Sequence, residues 1–260
     1  MMKSTLLWEI SVDGNKPSSY LFGTMHVKDA DAFNHVDRAI NELYKCQYMR
    51  CEVDIDTMTA IAPSHYMIPD GLSLADYLTK KQLDKATHIL EKAFNFDLMM
   101  HAPLLPLLTI SKIIESILNQ QHILSLDAFL WKKAKQLKME CGGIETLEEQ
   151  LNLLKSIPFG VQIKMFKNLV GNVNKFQKSV NYLRELYVQQ DIKRLYKLSK
   201  SNLGSLRDDM LYKRNVIMAN RIYDEQSDSK KFYAVGAAHL YGNKGILALL
   251  KRKRLFIKGL

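Results

Sequence analysis

The chain has 260 residues, 47% hydrophobic and 25% charged, enough apolar sequence to bury a substantial core in one large domain or a domain with an insertion. Its net charge is +10, but the basic residues are spread along helical stretches such as 155–200 and in Lys251-Arg252-Lys253-Arg254, with no nucleic-acid-binding motif beside them. That pattern is a solvated basic face and leaves nucleic acid out of the expected partners.

Residues 1–5 lead straight into Leu6-Leu7-Trp8-Glu9-Ile10, too short and too early interrupted for a secretory leader. The expected setting is cytoplasmic if Met1 is the native start, and extracytoplasmic if a leader has been removed. Two apolar runs within 6–24 flank Asp13-Gly14-Asn15-Lys16-Pro17 and predict a β-hairpin. Its second run, Tyr20-Leu21-Phe22, stops at Gly23-Thr24-Met25-His26, where glycine is expected to permit a sharp turn off the strand. A helix follows, with Phe33, Val36, Ile40 and Leu43 on one face. Alternation over 47–55 predicts a strand, with Cys51, Val53 and Ile55 facing one way and Glu52, Asp54 and Asp56 the other.

Helical periodicity then dominates from about 57 to 225, over 74–94, 104–118, 126–137, 163–198 and 206–223. The most apolar of these, 104–118, is too short to cross a bilayer and carries Pro106, Lys112 and Glu115, so no membrane span is expected. Gly142-Gly143-Ile144-Glu145 interrupts the helices and predicts a short strand. The motif then repeats: Phe232-Tyr233-Ala234-Val235 runs into Gly236-Ala237-Ala238-His239. A helix over 246–251 and a strand over 254–258 close the chain. Three cysteines without a CxxC spacing read as buried thiols in a reducing compartment. The expected fold is α/β: a central mixed β-sheet formed by residues 1–56 and 226–260, with a large helical insertion over 57–225, in a single domain.

Ligands of open α/β sheets bind beyond the carboxyl ends of the strands. His26, Glu52 and His239 each stand at or just past such an end, and they converge if their strands run parallel. Two imidazoles and a carboxylate match a catalytic metal set that keeps a position open for water. Such a metal makes a nucleophile of that water, which is hydrolytic chemistry. Zinc, manganese, iron and cobalt all suit these divalent-ion ligands. The plainer reading of a single Gly-x-x-His is a loop, and of a strand-end Glu-Val-Asp a helix cap or a surface salt bridge. The other histidines lie in or near helical segments and read as structural or exposed. HExxH, P-loop, GxSxG and GxGxxG patterns are absent from the sequence.

In order along the chain, Leu7-Trp8-Glu9-Ile10, Tyr20-Leu21-Phe22-Gly23-Thr24-Met25-His26, Cys51-Glu52-Val53-Asp54 and Leu126-Asp127 carry a family pattern. Gly143-Ile144-Glu145, Lys213-Arg214-Asn215 and Tyr233 to Gly242 complete it. Together they resemble the TraB/GumN family, which includes the Tiki proteins. The resemblance implies an erythromycin-esterase-like core and, from the Tiki branch, metal-dependent protease activity. It places His26 and His239 at the two family histidines and Glu52 at the acidic residue, as ligand or general base. Arg214 and Glu145 are further candidates for catalysis: Arg214 could stabilise an oxyanion or, with Asn215, bind substrate, and the plain alternative is a buried ion pair or a helix-packing contact. Asp54 is expected to orient a histidine. The resulting expectation is a metal-dependent, peptidase-like hydrolase acting on a peptide or small molecule. Its rivals are a protein that sequesters a peptide or a small ligand such as haem without turnover, and an esterase or amidase.

Overall fold

The two apolar runs at the start of the chain form β1 (Leu7–Ser11) and β2 (Ser19–Thr24), paired antiparallel with Leu7 opposite Phe22. The expected turn, Asp13 to Pro17, lies outside the residues that the computed structural model describes, which are 4–12, 18–118, 122–226 and 229–260. Four more strands, β3 (Tyr48–Cys51), β4 (Glu140–Gly143), β5 (Lys231–Gly236) and β6 (Phe256–Gly259), complete a six-stranded sheet in the order β4-β3-β5-β2-β1-β6. Strands β4, β3, β5 and β2 run parallel, and β1 lies antiparallel between β2 and β6. The fold is thus a mixed α/β one, with both ends of the chain in one sheet. Neighbouring β2 and β5 are buried along most of their length, which explains why Tyr20-Leu21-Phe22 and Phe232-Tyr233-Ala234-Val235 read as continuous apolar runs.

The helices are α1 (Val36–Leu43), α2 (Ile55–Ala60), α3 (Lys80–Phe94), α4 (Leu98–His101), α5 (Pro106–Ile117) and α6 (Leu126–Gln136). They continue with α7 (Leu147–Ser156), α8 (Phe159–Gly171), α9 (Val173–Val188), α10 (Ile192–Leu203), α11 (Arg214–Asp224) and α12 (Ile246–Arg252). A π-helical stretch, Asp208–Lys213, runs directly into α11. None of the described helices is long and apolar enough to cross a membrane.

Two periodic stretches are cut by capping chemistry. The expected strand over 47–55 stops at Cys51, because the Asp54 side chain accepts from Thr57 N at 2.9 Å and starts α2. The stretch 163–198 contains parts of three helices. Asn172 Oδ1 accepts from Lys175 N at 3.2 Å to open α9, Gln190 takes a left-handed φ of 55°, and Asp191 Oδ1 accepts from Arg194 N at 2.9 Å to open α10.

The chain divides into two compact units. One comprises residues 1–60, 121–150 and 183–260 and contains the whole sheet; the other comprises 61–120 and 151–182. The second is helical, with a core that includes Leu74, Leu90, Ile113 and Phe166. Within the mainly helical stretch 57–225, residues 121–150 bring β4 to the sheet, and 183–225 fall in the same unit as the sheet.

The motif glycines do not serve the turn expected of them, since neither Gly23 nor Gly236 has a positive φ. Gly23 is required by close packing. A Cβ there would lie 2.7 Å from Leu240 Cδ1 and 3.2 Å from Ala237 Cα. Gly23→Ala is expected to lower stability by about 1–3 kcal/mol through overpacking. A urea-unfolding midpoint unchanged from wild type would contradict this.

Candidate functional site

Strands β2, β5 and β3 deliver their carboxyl ends to one edge, with Thr24 opposite Gly236 and Cys51 opposite Ala234. Hydrogen-bonded neighbours lie about 4.8 Å apart. His26, His239 and Glu52 follow directly on these three strand ends.

His26 is steered from α6. Asp127, in the first turn of that helix, accepts from Thr24 Oγ1 at 2.7 Å through Oδ1 and lies 3.0 Å from His26 Nδ1 through Oδ2. An ionised carboxylate only accepts, so Nδ1 is the nitrogen that donates to Asp127. The His26 side chain is 65% exposed and that of Asp127 only 10%, so a buried acid aims a solvent-facing ring. Leu126 N, donating to Val27 O at 3.1 Å, fixes α6 against the segment that follows His26.

His239 is fixed in the same way by a neutral group. Asn215 Nδ2 donates to Lys244 O at 2.7 Å, which turns Oδ1 toward His239 Nδ1 at 2.6 Å. The His239 lone pair is then on Nε2, which faces Glu52 Oε1 at 3.8 Å. Burial pushes the imidazolium of His239 down to about 4, aided by Arg214 and opposed by Glu52, so the ring is neutral at neutral pH.

Glu52 receives Gly236 N at 2.6 Å on Oε1 and Arg214 Nη2 on Oε2. A Cβ on residue 236 would stand 3.1 Å from Oε1, so glycine there lets the carboxylate reach the backbone. Arg214 also donates to Glu145, from Nε at 3.1 Å and from Nη2 at 2.6 Å. Glu145 is 5% exposed, and its own N donates to Glu52 O at 2.7 Å. Burial alone would raise the carboxyl of Glu52; the Arg214 charge, a protonated His239 and the Gly236 N–H outweigh it and hold it at about 2. Above about pH 4 His239 is neutral, and Arg214 and Gly236 carry that effect. Arg214 is itself raised: burial opposes its charge, and Glu52 and Glu145 together prevail.

The structure therefore joins Glu52, Glu145, Arg214, Asn215 and His239 in one network, and it holds His26 against Asp127. Among the described residues, no three His, Cys, Asp or Glu side chains form a group that could hold a metal ion. The donor chemistry nevertheless suits one. Both histidines direct Nδ1–H at an acceptor, the arrangement that makes Nε2 the ligating nitrogen in metal-bound histidines. Two electron-rich atoms 3.8 Å apart, His239 Nε2 and Glu52 Oε1, lie within reach of two ligand bonds of about 2.1 Å.

Two expected roles change. Asp54 caps α2, and the acid that orients a histidine is Asp127. Asn215, expected at the substrate, is fully buried with both amide atoms engaged, Nδ2 on Lys244 O and Oδ1 at His239 Nδ1. Asp127 escaped notice as a site residue because an acid in a helix's first turn already has a sufficient reason to be there.

The chain belongs to the TraB/PrgY/gumN family, whose model matches residues 6–256. It is similar to metalloprotease TIKI2 of Danio rerio, 22% identical over 310 residues, and to metalloprotease TIKI1 of Homo sapiens, 22% identical over 312. A metalloprotease TIKI homolog of Nematostella vectensis is 20% identical over 312 residues. These alignments cover 96% of this chain and 60%, 61% and 65% of the three relatives, so the chain spans less than two thirds of their length. No solved structure matches the chain significantly.

Proposed function

We propose that this protein is a metal-dependent, peptidase-like hydrolase whose site is formed by His26, His239 and Glu52. The observation that carries the reading is the facing pair of His239 Nε2 and Glu52 Oε1 at 3.8 Å. It stands on a strand end next to the one that leads to His26. The metalloprotease relatives support it. A divalent ion held by these side chains supplies an activated water and a polarised carbonyl.

The chain's own residues have separable tasks. Asp127 and Asn215 lock the two rings in the tautomer that presents Nε2. His239, neutral above about pH 4, has no proton to displace at neutral pH. Glu52, with a carboxyl held at about 2, binds a proton too weakly to serve as a general base near neutrality and suits a ligand role. Arg214 has Nε and Nη2 engaged on Glu145 and Glu52, so its task is to hold those carboxylates in place.

Metal content by mass spectrometry, together with a peptide-library cleavage assay, tests this reading. The expected result is a metal-containing protein that cuts peptides, loses cleavage on chelation, and loses both metal and cleavage in His239→Ala. Asp127→Asn should weaken metal affinity about 10- to 100-fold. Metal content unchanged in both His26→Ala and His239→Ala, with no peptide cut, overturns the proposal. The absence of a gathered three-ligand group among the described residues is the observation favouring the rival, a protein that holds a ligand without turnover. Ligand co-purified with an inactive, metal-free protein is that rival's signature.

A further inference from the structure

Beside the segment that follows His26 lies a cleft of about 380 Å³, lined by Phe33, His122, Ile123, Leu124, Phe129 and Lys132. We infer that this cleft is the subsite that receives a large apolar, preferably aromatic, side chain of a peptide substrate carrying a carboxylate on the adjoining residue. The inference rests on the hydrolase reading above and names its substrate class.

Position is the first argument. His122 N donates to Lys28 O at 2.9 Å, and Leu126 N donates to Val27 O at 3.1 Å. The cleft's rim is thus tied to the two residues that follow His26. Two of its lining residues, Phe129 and Lys132, sit on α6, the helix whose Asp127 contacts the His26 ring. A peptide whose scissile bond lay at His26 would therefore pass a neighbouring side chain over the cleft.

Shape is the second. Phe33 stacks on His122 with ring centroids 3.8 Å apart at 20°, and meets Phe129 edge-on at 5.4 Å and 70°. These contacts hold the wall in shape before any ligand arrives, which lowers the ordering cost of binding. The volume falls near the bottom of the range for small-ligand pockets, roughly 300–1,000 Å³, and suits one side chain with its neighbour rather than a folded partner. Ile123 is 90% exposed, an apolar side chain presented to solvent at the rim.

Charge is the third. Lys132 lines the cleft, and Lys133 places its Nζ 5.7 Å from the Phe129 ring centroid. None of the six lining side chains is a carboxylate. An apolar side chain flanked by an acid complements that surface better than one flanked by a lysine.

Binding is measured without turnover, by saturation-transfer NMR titration of the full chain in chelator. The probes are acetyl-Gly-Glu-Phe-Gly-amide, its Ala-for-Phe analogue and its Lys-for-Glu analogue. The Phe peptide is expected to bind at least about tenfold more tightly than the Ala peptide. The Lys analogue is expected to bind several-fold more weakly than its parent. Ile123→Asp should erase the preference for Phe, and Lys132→Glu should reverse the preference for Glu over Lys; both side chains are exposed, so the fold should survive. Equal affinity for the Phe and Ala peptides, or an unchanged difference in Ile123→Asp, overturns the subsite. If the preferences hold but metal-loaded protein leaves the Phe peptide uncut, the subsite stands and the hydrolase reading falls. If peptides are cut with no regard to Phe, the hydrolase stands and the subsite falls.

Discussion

Arg214→Met is expected to cost the fold about 3–5 kcal/mol, the loss typical of breaking a buried ion pair from one side. The side chains of Arg214, Glu52 and Glu145 are 13%, 24% and 3% exposed, and the guanidinium is the cation between both carboxylates. Removing it leaves two acids close together in a poorly solvated place. The carboxyl of Glu52, which Arg214 holds down, should then rise, because burial and like charge both favour the neutral form. The penalty should therefore shrink as pH falls and Glu52 takes up a proton. Glu145→Gln in the Arg214→Met background should recover part of the loss by removing one stranded charge. Arg214→Lys should fall between wild type and Arg214→Met, since an ammonium cannot reproduce the forked contacts to two acids. Urea unfolding at pH 7.5 and 5.5 measures all of this. A loss below about 1 kcal/mol for Arg214→Met would place the bridge among weak, surface-type pairs and remove its structural role.

The parts of this molecule that were legible in the sequence are those where burial writes a pattern. Tyr20-Leu21-Phe22 and Phe232-Tyr233-Ala234-Val235 are apolar without a break because both faces of central parallel strands are covered. Their parallel pairing then brings the two Gly-x-x-His motifs to one edge. Alternation misled where it ran past a cap: Cys51, Val53 and Ile55 keep a strand's period, yet Asp54 has already started α2 and Ile55 is its first residue. The helical period misled in the same way across Asn172 and Asp191, whose side chains open new helices inside a continuous apolar repeat.

The site was only half legible, for a different reason. Histidine and glutamate announce possible chemistry by type, whereas Asp127 and Asn215 matter only through what they face across the fold. Asn215 precedes His239 by 24 residues and Asp127 follows His26 by 101. No local spacing rule links positions so far apart. The glycines carry a similar lesson. Gly23 and Gly236 looked like turn formers, but what they supply is a missing Cβ, against Leu240 and Ala237 in one case and the Glu52 carboxylate in the other.

His239 should leave a measurable mark on stability as pH is lowered. Its imidazole moves from an ordinary 6.5 down to about 4 on folding, because burial penalises the cation. Between those values the unfolded chain binds a proton that the folded chain refuses. Acidification through this window therefore stabilises the unfolded state. The contribution is intact above about pH 6.5, declines as pH falls, and is gone near 4, for a total of about 3 kcal/mol at roughly 1.4 kcal/mol per pKa unit. Glu52 acts in a lower window. Its carboxyl is depressed from 4.5 to about 2, so its stabilisation is present above 4.5 and disappears as pH falls toward 2. The two can be separated by comparing wild type with His239→Gln in chelator, by urea unfolding from pH 7.5 to 4. Wild type should lose about 3 kcal/mol more than the variant between pH 6.5 and 4. Parallel curves would mean that the ring takes its proton as readily in the fold as out of it. Burial would then not be what keeps His239 neutral, and the ring would be neutral near pH 7.5 only as any ordinary imidazole is.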